Sequence, residues 1–277
     1  MEKKITKVAI TGARGRMGKL LIKEIQKNKY IHLQYALINN MNQSDNTINN
    51  KKILANHTKL FTTLNNLKKK KYILDFDTLI DFSEPQSTLK MIKYCVENKK
   101  NIIIGTTGFN DTQITQIHEA SKKIPILFSA NFSIGINIIH NILKYISPIL
   151  GNQADIEIIE SHHRNKKDAP SGTALQLGKV ISHTMQWDFK KSAIFSRYGN
   201  TGVRKKRKIG FSSIREGNTI GEHTILFSNR HEKISITHTA TCRSTFAKGA
   251  LKAAIWIHKK KKGLYSMSDV LKDNSSL

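Results

Sequence analysis

Lys7-Val8-Ala9-Ile10-Thr11-Gly12-Ala13-Arg14-Gly15-Arg16-Met17-Gly18 is the stretch that decides the fold class. Its first five residues read as a buried strand. Three glycines follow at once, and Leu20, Leu21, Ile22 and Ile25 then recur at helical spacing. Strand, glycine loop and helix in that order open a dinucleotide-binding unit. Gly12 suits the tight turn, Gly15 lets a pyrophosphate approach the backbone, and Gly18 lets the helix lie close to the strand. The spacing is G-x-x-G-x-x-G, where the usual fingerprint is G-x-G-x-x-G.

The next elements extend the same pattern. A second strand is expected over Ile31 to Ile38, where dinucleotide folds often place an acid for the adenosine ribose. Here the positions are Ile38 and Asn39, with no acid, and the polar stretch Asn39 to Lys52 reads as a loop. Leu79-Ile80-Asp81-Phe82-Ser83 reads as strand and turn, followed by a helix carrying Leu89, Met91, Ile92, Cys95 and Val96. Asn101 to Ile104 is another buried strand, ending in Gly105-Thr106-Thr107-Gly108-Phe109. Ile126 to Phe128 is a third, ending in Ser129-Ala130-Asn131-Phe132. Strands alternating with helices predict an α/β domain, a Rossmann-like doubly wound parallel sheet, with ligands at the carboxyl ends of its strands. The turns at Gly105–Thr107 and Ala130–Phe132 lie at such ends.

After Asn131 the pattern changes. Ile134 to Ile149 is helical and Asp155 to Ile159 alternates as a strand. Three further strand-like runs, Ile209–Arg215, His223–Phe227 and Lys233–Ala240, suggest an antiparallel sheet. A second α+β domain with a mixed or antiparallel sheet is therefore expected, and a sheet with a second face to cover favours oligomerisation. Ser244 to His258 is a final helix expected to return to the first domain. The predicted boundaries are residues 1-130 plus 241-277 for a dinucleotide-binding domain, and 131-240 for a substrate-binding and oligomerisation domain.

Between the strand and the next helix lies Glu160-Ser161-His162-His163-Arg164-Asn165-Lys166-Lys167-Asp168-Ala169-Pro170-Ser171-Gly172-Thr173-Ala174. Ser171 reads as a helix cap, and backbone N–H groups at Gly172 and Thr173 would form an anion site. Imidazole exchanges protons near neutral pH, and lysine or arginine can hold a carboxylate. The loop can thus supply a general acid and a carboxylate cradle. A solvated basic connection is the competing reading.

Composition narrows the field. The 277 residues are 39% hydrophobic, ample for one large or two ordinary domains. Cys95 and Cys242 stand alone, without zinc or disulfide spacing, so a reducing, cytoplasmic setting is expected. No signal peptide is expected, because the strand-like run after Met1-Glu2-Lys3-Lys4 is too short and too soon interrupted, and no membrane span, because the most apolar region, Ile124 to Leu150, is broken by asparagines, His140 and Lys144. Lys+Arg number 46 against 20 Asp+Glu, a formal net charge of +26. The charge is spread, with clusters at Lys68–Lys71, Arg204–Lys208 and Lys259–Lys262, and no nucleic-acid-binding signature accompanies it. A solvated surface ranks ahead of salt-sensitive polyanion binding, and no specific nucleic acid is expected.

The residues resemble one family nearly end to end, the 4-hydroxy-tetrahydrodipicolinate reductases (dihydrodipicolinate reductases) of the diaminopimelate route to lysine. The resemblance is carried by Val8 to Gly18, Gly105 to Phe109, Ala130 to Ser133, Glu160 to Arg164, Lys166, Asp168 to Ala174 and Gly221 to Thr224. It implies NADPH or NADH as cofactor, a small dicarboxylate substrate and a homotetramer built through the second sheet. It implies that Gly12, Ala13, Arg14, Gly15, Arg16, Met17, Gly105, Thr106, Thr107, Ser129, Ala130, Asn131 and Phe132 contact the cofactor. It implies His162 as catalytic acid/base and Lys166 as proton donor and carboxylate holder, with His163, Gly172 and Thr173 on the substrate. The sequence departs from its relatives at Ile38 and Asn39, where they commonly carry an acid and an arginine, and Lys167 stands where many have an apolar residue. Without the acid, Asn39 offers uncharged hydrogen bonds and Arg14 or Arg16 could reach a 2′-phosphate. Both cofactors are therefore expected, NADPH the tighter. No metal is expected, since His162-His163 lacks a ligand set. The competing functions are another two-domain nicotinamide oxidoreductase and a basic polyanion-binding protein.

Overall fold

The computed structural model describes residues 5–38, 59–63 and 74–274. Two compact units emerge, Met1–Ile134 with Ser244–Leu277, and Gly135–Arg243.

The first unit is a seven-stranded sheet. Its elements run β1 (Thr6–Thr11), α1 (Arg16–Ile25), β2 (Ile31–Ile38), β3 (Lys59–Thr63), β4 (Thr78–Asp81), α2 (Pro85–Glu97), β5 (Asn101–Ile104), α3 (Asp111–Ser121) and β6 (Pro125–Phe128). With a last strand, β12 (Gly263–Tyr265), the strand order is β12-β6-β5-β4-β1-β2-β3, all neighbours parallel. Strands buried on both faces need no alternation, which is why Val8, Ala9 and Ile10, or Ile102, Ile103 and Ile104, are apolar without a break and fully buried. The chain goes from β1 out to β2 and β3, then crosses back to β4 on the other side of β1. That reversal is the topological switch point of a doubly wound fold, where ligands bind.

Gly12 sits at this switch with φ +66°, and a Cβ on it would stand 2.7 Å from the Phe82 carbonyl oxygen after β4. Gly18 faces the same loop, and its Cβ would meet the Gly12 oxygen at 2.3 Å. Neither place admits a side chain, so the glycine spacing lets α1 begin hard against the end of β1.

Three elements complete this unit from the far end of the chain: α7 (Ser244–Ile257), β12 (Gly263–Tyr265) and α8 (Met267–Asn274). Ala247, Ala250, Leu251, Ala253, Ala254 and Ile257 of α7 share one core with Val8, Ile10, Leu21 and Ile22. Small residues on α7 let it approach closely, and burial of one Leu such as Leu251 contributes about 1.5–3 kcal/mol. On the other face Ala9, Leu79, Met91, Cys95, Ile102, Ile104 and Ile117 pack beneath α2 and α3.

The second unit contains α4 (Ile134–Leu150), which begins at the junction, β7 (Asp155–His162), α5 (Gly172–Thr184), α6 (Phe189–Ser192), β8 (Ala193–Ile194), β9 (Ile209–Arg215), β10 (Glu222–Ser228) and β11 (Lys233–Thr239). Its sheet order is β11-β10-β7-β9-β8. β10 runs antiparallel to both β11 and β7, whereas β9 runs parallel to β7 and to β8. The sheet is thus mixed. The three runs beyond α5 do not form one antiparallel set, because α5, α6 and the long connection 195–208 carry the chain across before β9. Ile139, Leu143, Ile156, Ile158, Leu177, Ile181, Ile209 and Phe211 fill the space between the helices and one face of this sheet.

Candidate active site

In the first unit the glycine loop and the two backbone-rich turns all follow carboxyl ends of neighbouring parallel strands. A hydrogen bond ties each of them to the end of an adjacent strand. The Ala13 amide donates to the Leu37 carbonyl (3.3 Å), the Gly105 amide to Asp81 (2.8 Å) and the Ser129 amide to Ile104 (3.1 Å). The Ser83 amide donates to Thr106 Oγ1 at 3.0 Å, and Ser133 N–H to Asn131 Oδ1 at 2.8 Å. Arg14, Gly15 and Arg16 are exposed, whereas Ala13 is buried and Phe132 has its ring in the core beside Phe82, 5.3 Å between centroids. Phe132 therefore has only its backbone to offer a ligand. Ile38 is likewise core, at 5% exposure, so it cannot face a ribose; Asn39 lies outside the described residues.

The loop fits a dinucleotide. α1 starts after Gly15 without a side chain capping its first-turn amides, whereas α3 and α5 are capped by Asn110 and Ser171. An uncapped helix start beside a positive-φ glycine at the switch point leaves backbone amides that could cradle an anion such as a pyrophosphate. Gly12 to Met17, Gly105 to Thr107 and Ser129 to Phe132 are the residues that could line it.

The second unit builds its site on one sheet face. In a strand, residues two apart share a face. On β7 that face carries Ile156 and Ile158, then Glu160 and His162, and all four are buried. The register sets Ser213 beside Glu160 and Arg215 beside His162 on β9, and His223 beside Glu160 on β10. The apolar run thus ends in a polar cluster. Arg215 grips Glu160 with both terminal nitrogens, Nη1–Oε2 3.0 Å and Nη2–Oε1 2.7 Å. Arg215 Nη2 also donates to the Asp168 carbonyl at 2.7 Å. His162 Nδ1 is in close hydrogen-bond contact with Glu160 Oε2. Burial alone would push the Glu160 carboxyl up. Hydrogen bonds from His162, Arg215 and Ser213 together outweigh it and hold the group at about 2, so Glu160 is ionised.

Ser171 caps α5, accepting from the Ala174 amide at 3.2 Å, a contact that typically contributes about 1 kcal/mol. Its own amide donates to Glu160 Oε1 at 3.2 Å, and its hydroxyl lies 3.0 Å from His223 Nε2. Burial first, then the nearby His162, push the His223 imidazole down to about 3. His223 is therefore neutral, and Ser171 can donate to it.

Lys166, His163, Gly172 and Thr173 lie on the same loop and helix start. Lys166 Nζ is 2.8 Å from Asp168 Oδ1, with 21% of its side chain exposed. Burial would raise the Asp168 carboxyl, but Lys166 and the Gly172 amide among others lower it. The chain's own carboxylate thus engages two of the donors that sequence reading assigned to a substrate. The sequence did not single out Glu160, Arg215, Ser171 as a link, or Asp168 in this way. The signal was available only for Glu160: an acid two residues before His162 in an alternating strand.

Among the described residues no group of three or more His, Cys, Asp or Glu side chains is placed to hold a metal ion, and no helix is long and apolar enough to cross a membrane.

Comparison with known proteins gives this geometry a family. The model for "Dihydrodipicolinate reductase, N-terminus" matches residues 6–132 and that for "Dihydrodipicolinate reductase, C-terminus" residues 135–271. The chain belongs to the dihydrodipicolinate reductase family. Among similar relatives is the 4-hydroxy-tetrahydrodipicolinate reductase of Buchnera aphidicola subsp. Cinara cedri, 69% identical over 267 residues, covering 96% of this chain and 97% of that one. That of Buchnera aphidicola subsp. Schizaphis graminum is 50% identical over 275 residues, covering 99% of each. A solved structure, dipicolinate-bound dihydrodipicolinate reductase from Paenisporosarcina sp. TG-14, shares the fold with a TM-score of 0.74 at 24% identity, covering 95% of this chain and 97% of that one. Membership of this reductase family makes the chain an oxidoreductase, with a Rossmann-type nucleotide-binding unit and a mixed-sheet partner unit.

Proposed function

We propose that the chain reduces 4-hydroxy-2,3,4,5-tetrahydrodipicolinate to 2,3,4,5-tetrahydrodipicolinate with NADPH or NADH, in the diaminopimelate route to lysine. One observation carries the reading. An imidazole, an ammonium and the amides of a capped helix start are gathered on a single loop of a chain in this family. The first unit, read as residues 1-130 plus 241-277, takes the cofactor. The second, read as 131-240, takes the substrate.

The substrate is a cyclic imine bearing two carboxylates. Loss of its hydroxyl as water leaves a conjugated imine that accepts hydride at C4, and the enamine so formed must gain a proton. The bound nicotinamide supplies the hydride. His162 supplies the proton from Nε2, the nitrogen turned away from Glu160. Lys166 and the amides of Gly172 and Thr173 hold a substrate carboxylate once Asp168 yields them, and His163 lies beside them in sequence to complete the contact. The same donors suit a flat dicarboxylate such as dipicolinate, the molecule bound to the Paenisporosarcina protein.

Exposed Arg14 and Arg16 favour a 2′-phosphate, and Ile38 and Asn39 bring no charge against it, so NADPH binds more tightly than NADH. A homotetramer formed through the second sheet agrees with Ile214 and Ile234, exposed at 45% and 39% on its strands. A cytoplasmic setting agrees with the chemistry of a soluble biosynthetic substrate. The decisive experiment supplies the substrate from a synthase and follows NAD(P)H absorbance with each cofactor. Absorbance should fall only when synthase is present, and His162→Gln should slow it by ~10²–10⁴. Unchanged absorbance with the unmodified protein, or normal turnover in His162→Gln, defeats the reading.

A further inference from the structure

We infer that Glu160 and Arg215 are positioning residues for His162. Glu160 fixes the imidazole with Nδ1–H toward itself and Nε2 outward, and Arg215 holds Glu160 in that task. The inference rests on the reading of His162 as the acid.

Glu160 is 1% exposed, and a carboxylate so buried persists only when paired and hydrogen-bonded. The Arg215 fork supplies the pair. Being ionised, Glu160 can only accept hydrogen bonds. His162 Nδ1 must therefore be the donor in their contact, which assigns the tautomer. A neutral His162 carries its proton on Nδ1 and keeps the Nε2 lone pair open; the acid form carries its second, transferable proton on Nε2. The Nε2 side faces Gly221, where a Cβ would stand 3.0 Å away, so that side of the ring is kept clear by the absence of a side chain. The same carboxylate accepts the Ser171 amide at the start of α5. The acid and the amide cradle are thus referenced to one buried group, so the proton and the carboxylate-binding amides hold a fixed separation.

The charged and titratable groups around His162 come from every neighbouring element. They are Glu160 on β7 itself, Arg215 on β9, Glu216 just beyond it with its carboxylate on Ser161, neutral His223 on β10, His163 next in sequence, and Lys166 on the loop. Of these only Glu160 touches the ring through an ionised group, and Arg215 partly cancels its field. Removing the two partners must therefore act in opposite directions. Without the Glu160 charge the protonated ring is less favoured; without the Arg215 charge it is more favoured.

The test is the pH profile of kcat in the full-length protein with NADPH, together with 15N NMR of histidine-labelled protein. Glu160→Gln should lower kcat about 10²-fold with KM changed only a few-fold, and move the alkaline limb to lower pH. Arg215→Gln should move that limb to higher pH. In the unmodified protein the neutral His162 ring should show the Nδ1–H tautomer. Limbs that stay put, or move the same way in both variants, mark a merely structural role and overturn the inference, as does an Nε2–H tautomer. Should Glu160→Gln fail to fold, Arg215→Gln and the tautomer decide. A correct tautomer with no substrate turnover in the unmodified protein would instead sink the reaction assigned above.

Discussion

Among the described residues, Asp81 of the first unit is 0% exposed and Glu160 of the second 1%. Their fates are opposite. Asp81 lies at the end of β4, opposite Thr11 of β1, whose hydroxyl donates to it at 2.5 Å. Burial pushes its carboxyl up, only partly opposed by the hydroxyls of Ser83, Thr11 and Thr88. Glu160 meets the same burial but has an arginine fork, an imidazole and a backbone amide, and is held at about 2. Similar exposure therefore accompanies opposite shifts, and partner chemistry helps decide the direction. Hydroxyls leave the charged form of a buried acid disfavoured; cations make it a fixed charge that can orient a neighbour.

The two tryptophans allow the comparison to be broken unit by unit, since Trp256 lies in the first and Trp187 in the second. A Trp256→Phe background reports unfolding of the second unit by fluorescence, and Trp187→Phe that of the first. The largest effect should come from Glu160→Ala, which strands Arg215, 20% exposed, and should cost the second unit about 3 kcal/mol in urea titrations. A loss under 1 kcal/mol would mean the fork contributes little.

Acid should divide the two sites next. The folded value of Glu160 lies below its ordinary 4.5, so its stabilisation is full above that pH and fades as pH falls toward 2. The gap between unmodified protein and Glu160→Gln should close over that window. Asp81 has the reverse sign: its folded value lies above the ordinary 3.8, so the burden of ionising it is absent below 3.8 and grows as pH rises. Stability curves for both pairs from pH 2 to 7 check this, and parallel curves would abolish the contrast. The smallest effect is expected from Asp81→Asn below pH 3.8, within about 1 kcal/mol, because the burden of ionising Asp81 is absent there and a neutral amide replaces a side chain of nearly the same shape. A loss as large as that of Glu160→Ala would place Asp81 in the same class as Glu160.

What could be read in advance follows from how local each feature is. β1, its glycine loop and α1 are contiguous, and their order in sequence is their order in space. The Ser171 cap and the helix after it were legible for the same reason. β12 has three residues, Gly263–Tyr265, too few to show a period, and Lys59–Thr63 follows a polar stretch that gives no frame for a strand. The parallel course of β9 depends on a crossover through α5 and residues 195–208, so its composition alone suggested an antiparallel neighbour. The site divides likewise. His162 and Lys166 stand in one loop and could be singled out together. Arg215 lies 55 residues from Glu160, and only the β7–β9 register joins them. Ile38 was expected beside a ribose because it ends β2; its parity on the strand turns it into the core instead.

The second unit sits inside the first in sequence, because α7, β12 and α8 return to the opening sheet. On the ribosome this reverses the order of completion. The stretch from Gly135 to Arg243 has all its own strands as soon as it emerges, while β1, α1 and β2 wait for Ala247, Ala250, Leu251 and Ala254 to close the core over them. Until then the nascent chain carries an open apolar sheet face, and during that interval it is most exposed to misassembly and most in need of a chaperone.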